Sequence, residues 1–121
     1  MTEAILADAR ATIAEYLGQS SDISMDSDDY DKITIGTLFG EIWSRPGLEW
    51  RERSLITLTT LIVQGHTDEL KHHVIGAKRL GLTLQQIEEI CLHLSCYVGF
   101  HVAKAALKVA RAAFAENDSQ L

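Results

Sequence analysis

Apolar residues recur at helical spacing along almost the entire 121-residue chain, and single glycines or the one proline separate the periodic segments. In the first segment, Ile5, Leu6, Ala9 and Ile13 fall on one face before Gly18 ends the pattern. Intervals of three and four residues place side chains on the same side of an α-helix. The single proline and the shortage of short, glycine-punctuated strands also favour helices over strands. The sequence therefore predicts an all-α fold.

The periodic segments and their end signals predict six helices. Thr67 is a predicted N-cap, Gly81 is a predicted C′ glycine, and Thr83 with Gln86 forms a predicted capping box. The third helix is apolar on nearly all sides in its second half, which is typical of a helix buried inside a protein or at a subunit interface. The predicted helices cover residues 3–17, about 30–43, about 49–64, 67–81, 83–98 and about 102–115.

The length of the chain is sufficient for one domain with one hydrophobic core. Residues 1–29 are predicted to form an N-terminal helix and an acidic connector, in which 19–29 lack any period. Residues 30–115 are predicted to form a single compact six-helix domain together with this first helix, and residues 116–121 a frayed C-terminus.

Charge and composition exclude several classes of protein. The net charge of −6 leaves no basic stripe for nucleic acid and disfavours an anionic membrane surface. No basic start followed by a long apolar stretch indicates a secretory signal, and the apolar runs are too short to span a membrane. Cys91 and Cys96 lie five residues apart, which is neither a redox CxxC nor a zinc spacing. We expect reduced, buried thiols in a cytoplasmic protein.

One segment combines histidines with a carboxylate. In a helix, His66, Glu69 and His73 stand at i, i+3 and i+7 and share one face. An imidazole and a carboxylate one turn apart can exchange a proton and reach the same small ligand, and imidazole ordinarily titrates near neutral pH. The same spacing also fits a polar helix start that contains histidines without a catalytic role.

Four short motifs occur together and in order. They are W-x-R-P-G-L from Trp43 to Leu48, R-S-L from Arg53 to Leu55, E-L-x-x-H from Glu69 to His73, and Y-x-G from Tyr97 to Gly99. With the intervening spacing, this set resembles the carboxymuconolactone decarboxylase family, the relatives of alkyl-hydroperoxidase D. The resemblance covers about residues 30–115 and implies an alkyl-hydroperoxidase D-like helical subunit that assembles into a ring, often a homohexamer.

The resemblance also separates two kinds of chemistry. The peroxidase branch of the family implies a CxxC thiol pair followed by a histidine. In this chain His66 and Glu69 stand at the cysteine positions, and His73 stands at the histidine position. The decarboxylase branch, which the chain is therefore expected to join, implies loss of carbon dioxide from a lactone such as 4-carboxymuconolactone in aromatic-compound breakdown. His101 stands where the family typically has proline.

The decarboxylase reading assigns a role to each candidate residue. His73 is the predicted proton donor to carbon, and Glu69 is predicted to orient it. Arg45 or Arg53 is predicted to hold the carboxylate of a small anionic organic substrate. The predicted substrate-binding set is completed by Trp43, His66 and His101. We infer no metal and no organic cofactor, since a carbonyl in the substrate can take up the electrons left by carbon dioxide.

Four alternatives remain open from the sequence. The chain is a thiol-independent relative with another small-molecule substrate, or a thiol-dependent peroxidase, or a metal-binding module that uses His66, Glu69 and His73, or a ring-forming protein without a catalytic site. Assembly into a homo-oligomer is expected in each case, because the third helix and the alanine-rich sixth offer more apolar surface than a small subunit readily buries.

Overall fold

A computed structural model describes residues 1–18 and 23–116 of the chain. All regular structure within these residues is helical, which confirms the all-α prediction. The helices are α1 (Glu3–Tyr16), α2 (Asp29–Ile35), α3 (Trp50–Gln64), α4 (Thr67–Arg79), α5 (Leu84–Val98) and α6 (Phe100–Glu116), and a π-helical segment (Gly36–Ile42) continues α2. None of the described helices combines the length and hydropathy needed to cross a membrane. Residues 19–22 of the predicted connector and 117–121 of the predicted frayed terminus lie outside the described residues.

The chain divides into two compact units, Met1–Trp50 and a second that begins at Arg51. In the first unit, the predicted second α-helix is only partly correct, because its second half is the π-helical segment. The backbone N–H of Trp43 donates to the carbonyl of Leu38, five residues earlier, at 2.9 Å. This segment packs against α1, and a Cβ at Gly40 would collide with the carbonyl oxygen of Ile5. Glycine at this position therefore permits the close approach of the two helices.

An aromatic cluster fills the interior of the first unit. The rings of Tyr16 and Trp43 lie 4.4 Å apart between centroids, and Phe39 and Trp50 lie within 6 Å of Trp43 by the same measure. The indole Nε1 of Trp50 donates to the carbonyl of Trp43 at 2.9 Å. Burying such large rings contributes strongly to stability, and the hydrogen bond satisfies the polar atom of one indole.

The core of the second unit is aliphatic. Leu58 and Ile62 of α3 pack with Leu70 and Val74 of α4 and with Ile87 of α5. The fully buried residues of α6 are alanines at helical intervals, namely Ala103, Ala106, Ala110 and Ala113, and the larger Leu107, Val109 and Phe114 pack partly buried against the core. Small side chains let helices approach closely, and α6 packs against both α4 and α5. The opposite side of α3 is solvent-exposed, with Leu55, Ile56 and Val63 on it.

The helix ends of the second unit largely follow the predicted signals. Thr83 and Gln86 form the predicted capping box, and Gly81 follows α4 with a φ of 91° that favours glycine. The N-cap of α4 is His66 rather than the predicted Thr67. Helix α6 begins two residues earlier than predicted, so that Gly99, with a φ of 97°, alone separates α5 from α6.

Candidate functional site

Helix α4 carries the three residues that the sequence places on one face. His66 is the N-cap, Glu69 lies in the first turn, and His73 lies one turn further along. His66 and Glu69 are exposed to solvent, whereas His73 is only 8% exposed. The helix therefore presents an imidazole and a carboxylate to solvent at its start and buries a second imidazole one turn later.

The burial of His73 changes its protonation. Desolvation, with a smaller contribution from the nearby charge of His72, lowers the pKa of His73 from 6.5 to about 4. At neutral pH the imidazole is therefore largely uncharged. The sequence-based expectation that this histidine titrates near neutrality is therefore wrong for the protein without substrate. The neutral ring keeps one N–H donor and one nitrogen acceptor.

Two further candidate residues lie in the same unit as His73. Arg53 lies in the first turns of α3 and is half-buried, and its carbonyl accepts a hydrogen bond from Thr57 Oγ1 at 2.8 Å. The Nε of Arg53 is buried, and a guanidinium presents its donors in a planar fork that matches a carboxylate. His101 is the second residue of α6 and is exposed.

The remaining two candidate residues belong to the first unit. Trp43 is only 3% exposed and is a central member of the aromatic cluster, so that the described contacts give it a packing role. Arg45 lies in the turn after the π-helical segment, is exposed, and its backbone N–H donates to the carbonyl of Ile42 at 3.1 Å. The structure thus places Glu69, His66 and His73 on one helix and divides the candidate arginines between the two units.

The described residues give no support to the metal-binding alternative. Within residues 1–18 and 23–116, no group of three or more histidine, cysteine, aspartate or glutamate side chains is arranged to hold a metal ion.

The two cysteines are both present as thiols. Cys91 is buried and Cys96 is exposed, although both were expected to be buried, and they form no disulfide. Burial, reinforced by the carboxylate of Glu88 and opposed by Arg111, raises the pKa of the Cys91 thiol. A buried thiol that stays protonated at neutral pH is a poor nucleophile, which disfavours a peroxidase that uses Cys91.

Sequence reasoning missed a groove between α5 and α6 of about 490 Å³. Lys104, Leu107 and Arg111 of α6 line it at helical intervals, and Glu88 of α5 forms an ion pair with Arg111 at 2.7 Å. Both helices and the spacing of these α6 residues were predictable from the sequence, but the packing of α5 against α6 that forms the groove was not.

The chain is similar to proteins of one family. The sequence model of the carboxymuconolactone decarboxylase family matches residues 28–112. The 4-carboxymuconolactone decarboxylase of Acinetobacter baylyi is 36% identical over 86 residues, which are 71% of this chain and 64% of that protein. The nitrosuccinic acid decarboxylase npaB of Metarhizium robertsii is 43% identical over 61 residues, 50% of this chain and 43% of that protein. The chain thus spans less than two thirds of the length of these relatives.

Proposed function

This chain belongs to the carboxymuconolactone decarboxylase family, and we propose that it is a cofactor-free decarboxylase of a small anionic organic acid. The observation that carries the proposal is the buried His73, which lies inside the family-matched segment one helical turn after an exposed carboxylate. Similarity to two proteins named decarboxylases supports the reaction class. We take 4-carboxymuconolactone as the first substrate to test, within aromatic-compound breakdown in the cytoplasm.

The names of the relatives indicate what such a substrate must contain. The name carboxymuconolactone indicates a lactone, and the name nitrosuccinic acid indicates a nitro group. Either group can take up the electron pair of the carbon–carbon bond that breaks when carbon dioxide leaves. The substrate of this chain is proposed to bring its own electron-accepting group in the same way, so that the protein has to supply only binding, orientation and a proton.

His73 is the proposed proton donor. An anionic substrate beside the buried ring favours the imidazolium, because an opposite charge raises the pKa of a histidine. The ring therefore takes up its proton as the substrate binds. After carbon dioxide leaves, the electron pair held on the electron-accepting group returns to carbon as that carbon takes the proton from His73. The imidazole is then neutral again, which burial favours once the anion has gone.

The other candidate residues are proposed to position the substrate and His73. Glu69 lies at the solvent end of the same face, where it can orient the imidazole or pass it a proton from water. Arg53 is the proposed carboxylate ligand because it is half-buried in the same unit as His73. His66 and His101, which belong to the same unit as His73, remain proposed contributors to the substrate pocket.

The test follows the absorbance of 4-carboxymuconolactone with purified protein and variants. Replacing His73 with Ala removes the donor and should lower kcat by about 10²-fold or more, and His73→Gln should be nearly as slow. The matched control is His93→Ala on α5, which removes an exposed imidazole that stacks on Tyr97. We expect the control to keep its rate. If the wild type turns over a nitro acid but not the lactone, the substrate assignment changes and the assignment of His73 as proton donor is unaffected.

Further variants separate orientation from proton relay. Glu69→Gln keeps the shape and removes the charge, so a small loss of kcat indicates orientation and a loss as large as that of His73→Ala indicates relay. Arg53→Ala should raise KM more than it lowers kcat, because it removes a ligand of the substrate anion. An active wild type with an unimpaired His73→Ala variant would contradict the site, and His101 would be the next residue to replace.

A further inference from the structure

The groove between α5 and α6 has an apolar lining and the dimensions of a small-molecule site. Its volume of about 490 Å³ lies within the range of pockets that bind organic ligands. Cys91 and Ala103 line it and are buried, and Leu107 lines it and is partly buried. At its edges, Leu92 is 64% exposed and Phe100 is 75% exposed. An apolar ligand in the groove would therefore cover surface that otherwise contacts water.

The wall that α6 contributes to this groove carries two cations. Phe100, Lys104, Leu107 and Arg111 follow one another at intervals of three and four residues, so they share one face of the helix. The guanidinium of Arg111 is paired with the carboxylate of Glu88 on α5 at 2.7 Å. Within residues 1–18 and 23–116, the ammonium of Lys104 forms no ion pair. One positive charge on this wall is thus left without a counterion.

This positive charge lies at one end of the groove. Because only Gly99 separates two helices that pack together, α5 and α6 run antiparallel. The ion pair between Glu88 and Arg111 sets their relative level, which places Lys104 opposite Ser95, near the connection. Seven residues separate Lys104 from Arg111, which corresponds to about 10 Å along the helix axis. The groove therefore presents one cation and, beside it, a stretch of apolar surface about two helical turns long.

We propose that this groove binds a monocarboxylic acid with an unbranched apolar tail, of the size of a medium-chain fatty acid. The carboxylate pairs with Nζ of Lys104, and the tail lies along Leu107 and Leu92 towards the other end. A charge-assisted hydrogen bond between an ammonium and a carboxylate is stronger beside apolar groups than in open water. Charge complementarity at one end and apolar burial along the rest thus select the same class of ligand.

The far end of the groove favours one carboxylate over two. Glu89 lies on this end, and within the described part of the chain no cation pairs with it, whereas Glu88 is neutralised by Arg111. A second carboxylate at the end of the tail would meet this negative charge and would be repelled. The site is therefore expected to discriminate between acids of equal length by the charge at the tail.

The groove is separate from the proposed catalytic residues. His73, Glu69 and Arg53 are not among the residues that line it. The proposal consequently does not depend on the proposed decarboxylase activity, and it adds a second ligand site to the chain.

The first test is titration calorimetry of the full chain with octanoate. We expect one molecule to bind per chain with a Kd below about 1 mM. Lys104→Glu should weaken binding by at least about tenfold, because it removes the counterion of the carboxylate. Octylamine keeps the tail and reverses the charge, so it should bind the wild type more weakly than octanoate and should bind Lys104→Glu more tightly. The matched control is Lys108→Glu, an exposed position outside the groove with the same change of net charge, and it should keep the wild-type affinity.

The second test compares octanoate with octanedioate, which carries a carboxylate at both ends. The wild type should bind the dicarboxylate at least about tenfold more weakly, and Glu89→Lys should remove this difference. Methyl NMR then locates the tail, because the signals of Leu92 and Leu107 should shift on octanoate binding. The signal of Leu55, which lies exposed on α3 outside the groove, should stay in place.

Circular dichroism on each variant separates loss of binding from loss of folding. The proposal is overturned if the wild type does not bind octanoate, which would assign the groove to another occupant, or if Lys104→Glu and Lys108→Glu bind it equally. Loss of binding in His73→Gln would also overturn it, since the acid would then occupy the proposed catalytic site. Equal wild-type affinity for both acids would contradict the placement of the tail beside Glu89. None of these measurements uses turnover, so failure of this proposal is distinguishable from failure of the proposed function.

Discussion

Glu69 and His73 lie one turn apart on α4, yet the carboxylate is in solvent and the imidazole is 8% exposed. The helix thus crosses from the surface to the interior within about 6 Å of axial rise. His73 is held neutral by this burial, with a pKa of about 4. The proposed donor therefore has to take up its proton when the substrate binds. We expect both the stability and the kinetics of the protein to depend on pH because of this histidine.

The stability of the protein should fall between about pH 6.5 and pH 4 because of His73. The pKa of this ring is lowered in the folded protein, so the unfolded chain binds a proton here at a higher pH than the native one. The stability that the neutral ring contributes is fully present above pH 6.5, the pKa of the unfolded chain. It is lost as pH falls towards about 4, the pKa in the folded protein. The difference from 6.5 to about 4 corresponds to about 3 kcal/mol in the free energy of unfolding.

Urea unfolding at a series of pH values measures this effect. His73→Gln should flatten the stability profile over this interval, because glutamine has no proton to take up. His93→Gln, which replaces an exposed histidine, should keep the slope of the wild type. Equal slopes in the wild type and in His73→Gln would show that other groups cause the acid sensitivity.

Gly40 should be intolerant of a side chain. A Cβ at this position would collide with the carbonyl oxygen of Ile5 and would come within 2.9 Å of Ile5 Cγ2. Gly40→Ala must therefore push α1 away from the π-helical segment and should destabilise the protein by about 1–3 kcal/mol. Gly47→Ala is the matched control, because a Cβ there meets nothing within 4 Å and the backbone φ is not positive. Thermal unfolding that is equally unaffected in both variants would contradict the packing of α1 on this segment.

The sequence was sufficient for the helices because their signals are local. Apolar spacing, the Thr83–Gln86 capping box and Gly81 each depend on a few neighbouring residues, and each is found in the structure. The π-helical segment was not predictable in this way. It shares an apolar stripe with an ordinary α-helix, and its geometry is tied to the close approach of Gly40 to α1, which is a tertiary contact.

The residues of the candidate site were predictable from the sequence, but their burial and their packing partners were not. Spacing predicted that His66, Glu69 and His73 share one face, and in the structure Glu69 and His73 lie one turn apart on α4 with His66 as its N-cap. The depth of His73 depends on which neighbouring helices cover the middle of α4, so its lowered pKa could not be derived from the sequence. Likewise Trp43 entered the candidate set through a motif, whereas its position in the aromatic cluster depends on Tyr16 and Trp50.

Turnover should not require a thiol. Cys91 is buried with a raised pKa, and Cys96 lies five residues later on the same helix, outside the spacing of a redox pair. Cys96→Ser should leave kcat unchanged, and Cys91→Ala should leave kcat unchanged while it lowers stability through lost packing. The measurement is decarboxylase turnover before and after treatment with a thiol-alkylating reagent. If the combined variant Cys91→Ala with Cys96→Ser stays folded but has no turnover, the prediction is wrong and a thiol-dependent peroxidase becomes the better interpretation.

The pH dependence of kcat/KM should differ from that of kcat if His73 is the proton donor. The ratio kcat/KM reports on the protein without substrate, in which the protonated fraction of His73 falls as pH rises above about 4. It should therefore fall about tenfold per pH unit from about pH 5 upwards. In the complex, the anionic substrate raises the pKa of His73, so kcat should stay level to a higher pH before it falls. His73→Gln should show neither dependence and a low rate throughout. If kcat/KM is instead constant between about pH 5 and 7 in the wild type, His73 acts as a neutral hydrogen-bond donor and the proton comes from another group.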